Sequence, residues 1–100
     1  MKYNIKISPE SNKDIEDALD YYDKINIKLG IELSNIIFED LDLIQNNPFS
    51  FSTKYKNIRT FPLNKFPYIV CYFIDEQNSF VNVIAIFNTN KNPNKWQKRV

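Results

Sequence analysis

The side chains best able to meet a phosphate lie in the second half of the chain. Arg59 and Arg99 are its two arginines. Lys54 and Lys56 come just before Arg59, and Lys65 follows it. Lysine, arginine and tyrosine together can cut RNA at a 2′-hydroxyl without a metal. That reaction needs a base for the hydroxyl proton, a cation for the charge building on phosphorus, and an acid for the leaving oxygen. A lysine of lowered pKa can serve as the base. An arginine fork holds two phosphate oxygens at once. Without such chemistry, the same cations are solvated or bind an acidic partner.

Other chemistries are removed by composition. No histidine is present, so the commonest general base and metal ligand are missing. Cys71 is the single cysteine. It lies mid-strand among apolar neighbours, without a base, and reads as a buried thiol. Gly30 is the single glycine, which leaves no glycine-rich phosphate loop. Asp14, Asp17 and Asp20 share part of a helix but alternate with its apolar stripe, so they read as a solvated face. No metal and no cofactor are expected.

Charge is divided unevenly along the chain. Residues 1–42 carry five lysines against ten acids, and residues 43–100 carry six lysines and two arginines against Asp75 and Glu76. Two basic segments therefore flank one acidic turn, as a face for phosphates or an acidic partner would require. Asn, Lys and Ile make up 39 of the 100 residues. Their codons are AT-rich, so asparagine content alone argues for little.

The elements that must position these groups can be read from pattern. A single domain spanning residues 1–100 is expected at this length. KYNIKIS (2–8) alternates as a half-buried strand, with Tyr3, Ile5 and Ile7 inward. Ser8-Pro9-Glu10 has the cap, first-turn proline and acid of a helix start. Helical spacing predicts one helix from Pro9 to about Ile27, a break around Asn26–Gly30, and a second helix ending at Asn46-Asn47-Pro48. PFSFSTKYKN (48–57) reads as a loop with exposed aromatics. Phe49, Phe51 and Tyr55 either stack on bases, dock on a partner, or fill the edge of the core. Strands are expected at 57–63, 66–74 and 79–87, the second central because both its faces are apolar. DEQNS suits a hairpin turn between the last two. The expected fold is α+β, β-α-α-β-β-β, with a helical hairpin on a small sheet. Asn92-Pro93 reads as the start of a short terminal helix, with Trp96 as a packing anchor. No apolar run approaches the ~20 residues of a membrane span, and the N-terminus has no signal-peptide core. A cytoplasmic protein is expected.

Order and spacing then bring a family into view. The chain carries SP at its first helix start, Tyr21-Tyr22 near that helix's end, and LG at 29–30. NP follows at 47–48, and Arg59 comes before FPY at 66–68. Tyr72-x-Ile74-Asp75 closes that strand, VNVIAIF lies at 81–87, and K-N-P-x-x-W at 91–96. In this order the pieces resemble the RelE/ParE superfamily of toxins from type II toxin–antitoxin systems, the plasmid-stabilisation type. The resemblance implies a helical hairpin on a curved antiparallel sheet. It also implies a cognate antitoxin, often acidic, that wraps the toxin, and often a toxin–antitoxin hetero-oligomer. Two targets stay open. RelE-like members cut ribosome-bound mRNA without a metal, and ParE-like members inhibit DNA gyrase. On the first, Arg59, Lys91, Lys54 and Lys56 are the catalytic candidates. Lys65, Asn88, Lys95 and Arg99 are candidates for holding a partner or nucleic acid. Where relatives often hold His and Arg after the last strand, this chain has Asn88 and Lys91. Asn88 has no titratable group, and Lys91 lacks the fork. A third possibility follows, an inactive relative that only binds its antitoxin or a nucleic acid.

Overall fold

A computed structural model of the protein describes residues 3–91 and 95–99. The proposed cap at Asn92-Pro93 lies outside the described residues. Ser8 opens the helical half as its residue type requires. Its hydroxyl accepts the Ser11 N–H at 3.1 Å, and Pro9 takes the first helical position. Helix α1 (Pro9–Ile25) and helix α2 (Ile27–Asn46) are separated by one residue. Asn26 makes the whole break. Its extended backbone (φ −164°, ψ 124°) donates to the Tyr22 carbonyl, and its side chain accepts from the Lys28 N–H at 2.9 Å. Gly30 is therefore inside α2, and the break is shorter than the Asn26–Gly30 span suggests. At its far end α2 stops where Asn47 meets Pro48.

The strands are β1 (Asn4–Ile7), β2 (Thr53–Tyr55), β3 (Ile58–Pro62), β4 (Tyr68–Asp75) and β5 (Phe80–Asn88). They form one sheet in the order β1-β5-β4-β3-β2, with β4 at the centre as its two apolar faces demand. The α+β architecture is as expected, with two refinements. β1 pairs with β5 in parallel, which makes the sheet mixed, and β2 adds a fifth strand inside the stretch read as a loop. The rest of that stretch is a 3-10 turn, Pro48–Ser50.

The register of β4 against β5 shifts once. Cys71 faces Ala85, Tyr72 faces Val83, and Ile84 is the extra residue. Such a bulge reverses the alternation of side chains beyond it. Val81, Val83 and Ile86 consequently pack with Leu33, Ile37 and Ile44 under the helices. Ile84, Ala85 and Phe87 pack with Ile58 and Cys71 on the other face. That second core is closed by a C-terminal 3-10 turn, Lys95–Arg99, whose Trp96 is 4% exposed. Trp96 is thus the packing anchor its type suggests, reinforced by an edge contact with Tyr55 at 6.1 Å. No described helix is long and apolar enough to cross a membrane.

Candidate functional site

A cleft of about 600 Å³ lies between α1 and the chain leaving β5. One wall is α1, which presents Asp14, Asp17, Tyr21 and Tyr22. Tyr68 opens β4 at the floor, and Asn88, Asn90 and Lys91 form the facing rim. Trp96 and Arg99 close the remaining side. The rim is built by hydrogen bonds that asparagine and threonine supply. Asn88 Oδ1 accepts the Asn90 N–H at 2.8 Å, the Lys91 N–H donates to the Asn88 carbonyl at 3.1 Å, and the Thr89 N–H donates to the Pro67 carbonyl at 2.8 Å. The asparagines of this stretch therefore shape a turn, as such side chains do.

The tyrosines form a connected group. Tyr22 meets Tyr21 edge-on at 5.0 Å and Tyr68 at 6.4 Å. Burial pushes the Tyr68 phenol above its ordinary range, while a side-chain hydrogen bond with Asn88 pulls the other way. Burial likewise raises Tyr22. Raised phenols stay protonated near neutral pH and serve as hydrogen-bond donors, not bases. The carboxylates are also engaged. Asp14 is bound by Arg99 and by the Ile86 N–H, and Asp17 pairs with Lys13 at 2.9 Å. Among the described residues no cluster of three or more His, Cys, Asp and Glu could hold a metal ion. The cleft is equipped to bind through rings, amides and the exposed Lys91.

The sequence candidates do not share one place. Asn88, Lys91 and Arg99 come together at the cleft, with Arg99 tied to Asp14. Arg59 lies on β3, opposite Tyr72, and does not line the cleft. Its guanidinium donates to the carbonyls of Phe49 (3.3 Å) and Phe51 and stacks over the Phe49 ring at 5.4 Å. It thus fastens the 3-10 turn to the sheet. Lys54 is exposed on β2, and Lys56, in the turn after it, sits over the Tyr55 ring at 5.2 Å. Lys65 holds Glu32 of α2 at 2.8 Å. The side chain of Lys95 lies outside the described residues. Phe51 and Tyr55, two of the aromatics left open above, pack on Phe61 and Trp96, and Phe49 stays exposed.

Asp14 was the residue that pattern reading missed. Pattern alone puts it with Asp17 and Asp20 on the solvated face, yet it is half-buried and bridges three elements. A lone acid midway between the stripe and the solvent face was the available signal, and its partner at residue 99 is beyond any local window.

A second concavity is an apolar groove of about 340 Å³, floored by Ile5 and Ile7 and walled by Ile15 and Leu19 of α1 and by Phe38 and Leu41 of α2. Phe38 is 79% exposed.

Residues 5–93 match the family described as the ParE toxin of the type II toxin–antitoxin system parDE. The chain belongs to the ParE toxin family. Among solved structures, this ParE-family chain resembles one from the chromosomal ParDE toxin–antitoxin system of P. aeruginosa. The TM-score is 0.76 at 14% identity, over 87% of this chain and 96% of that one. It also resembles a chain of the RelBE2 toxin–antitoxin complex of Mycobacterium tuberculosis. There the TM-score is 0.56 at 12% identity, over 88% and 99% of the two chains. At such identities the structures establish a shared fold, and the family match carries the assignment. No curated protein matches the ParE-family sequence.

Proposed function

We propose that the protein is the toxin of a type II toxin–antitoxin module and that it acts in the cytoplasm by binding DNA gyrase, without chemistry of its own. The observation that carries this reading is the ParE family match along residues 5–93. The site supports the non-catalytic half of it. The cations that RNA cleavage would need do not share one place, and Arg59 is engaged by backbone carbonyls. A cognate antitoxin completes the module.

Expression of the chain alone from a tightly controlled promoter tests the proposal. Growth should stop, and purified protein should inhibit supercoiling while translation proceeds. Wild-type growth with soluble protein confirmed would sink the toxin reading. RNA cut on ribosomes with supercoiling intact would replace gyrase by mRNA as the target. Arg59→Ala sharpens the test. It should cost roughly 1–3 kcal/mol of stability by releasing two carbonyls, measured in urea, and should keep its toxicity at matched soluble amounts. Lost toxicity with unchanged stability would instead put the guanidinium on the target.

A further inference from the structure

β1 ends at Ile7, opposite Val83, so beyond that point β5 has no strand along its outer edge. Side chains take over. Ser11 Oγ donates to the Val83 carbonyl at 3.1 Å, and Asp14 accepts the Ile86 N–H at 3.0 Å. Between them lies Ile84, the extra residue of the bulge, whose carbonyl accepts Arg99 Nη1 at 2.9 Å. The same guanidinium forks onto Asp14, at 2.7 Å to Oδ2 and 3.1 Å to Oδ1. Arg99 thus leads the C-terminal turn round the edge of the sheet and fastens it to the helix layer.

Two consequences follow from where that turn sits. It covers the second core, with Trp96 packed in the cluster that contains the fully buried Cys71. It also walls the cleft through Trp96 and Arg99. The fastening is accessible to solvent. The side chains of Arg99 and Asp14 are 26% and 19% exposed, so salt reaches a pair whose bidentate geometry is otherwise strong.

We propose that residues Lys95–Arg99 form a releasable strap, latched by Asp14 and Arg99, whose release opens one wall of the cleft and uncovers Cys71. Occupation of the cleft and position of the strap are then linked. A ligand that binds one strap position better shifts the population toward it. The proposal stands on the latch geometry and is separate from the toxin reading, since its readouts are spectroscopic and chemical and need no growth effect.

The chain contains both reporters, a single Trp on the strap and a single Cys beneath it. The experiment uses the full chain and measures labelling of Cys71 by a neutral thiol reagent and quenching of Trp96 by acrylamide. The variants are Arg99→Gln, Arg99→Lys and Asp14→Asn, the last of which keeps an acceptor for the Ile86 N–H. Arg99→Gln and Asp14→Asn should label at least about ten-fold faster than wild type, with far-UV dichroism retained and labelling nearly independent of low urea, as local opening requires. Arg99→Lys should fall between. Raising salt to about 0.5 M should speed wild type and leave Arg99→Gln unchanged. Labelling of Arg99→Gln as slow as wild type would overturn the proposal. So would labelling that accelerates with urea as steeply as global unfolding, because Cys71 would then be reached only through the unfolded chain.

Discussion

Cys71 and Tyr72 sit side by side on β4, one in each core. Burial pushes the Cys71 thiol from 9.0 up to about 12, against the smaller opposing pull of Arg99. Burial pushes the Tyr72 phenol from 10.0 up to about 12, and its hydroxyl donates to the Pro48 carbonyl at 2.7 Å. Each group holds its proton more tightly folded than unfolded. Their contribution is therefore complete below the unfolded values and is lost as pH rises through the folded ones. Denaturation in urea should give a midpoint that declines from about pH 9 upward. Cys71→Val should flatten the first part of that decline, where the thiol alone titrates in the unfolded chain. A midpoint unchanged to about pH 11 would show that water reaches both groups in the folded state. The burial of Cys71 was legible from its neighbours in FPYIVCYFI. The engagement of Arg59 was not. An arginine on a strand reads as free until the carbonyls of a turn eight and ten residues away are placed beside it.

At the scale of elements, the helices were legible and the sheet's edges were not. Ser8, Pro9 and the Asn46-Asn47-Pro48 stop act within a few residues of themselves, so sequence displays them. Gly30 misled the placement of the break because glycine usually marks one, whereas Asn26 does the turning here. A Cβ on Gly30 would fall 1.6 Å from Asp23 Oδ1 and 2.7 Å from its Cγ, but 3.5 Å from the Asp23 Cα. The obstacle is thus the end of an exposed side chain that can swing into water. Gly30→Ala should then leave the unfolding midpoint unchanged or raise it, since a helical glycine costs about 0.5–1 kcal/mol relative to alanine. A loss larger than that, relieved in Asp23→Ala/Gly30→Ala, would mean that Asp23 is held in place. β2 escaped detection because its three residues are too few to show a period. The bulge at Ile84 left no mark either, for its cause is the pairing of distant residues.

For the molecule as a whole, the division of charge along the chain becomes a division in space. The ten acids of residues 1–42 lie on the helices, and the cations of residues 43–100 lie on the strands, turns and strap. Only three described ion pairs join oppositely charged groups, and two of them, Lys65–Glu32 and Arg99–Asp14, tie the sheet side to the helix side. The α+β layering was legible because each element shows its own apolar face. The parallel placement of β1 was not, since nothing in KYNIKIS names its neighbour.

That placement also sets an order of events in time. Asn4 lies beside Phe80, nearly the whole chain away, while β3, β4 and β5 are joined by short turns and α1 meets α2 across one residue. Closing the long loop costs entropy that the local contacts do not. The meander and the helical hairpin should be in place at the rate-limiting barrier, with β1 docking after it. Ile5→Ala would then speed unfolding and barely alter the refolding rate in stopped-flow denaturant jumps. A slowed refolding limb would put β1 in the nucleus. On this order the parallel strand is the last piece of the sheet to arrive and the first to leave.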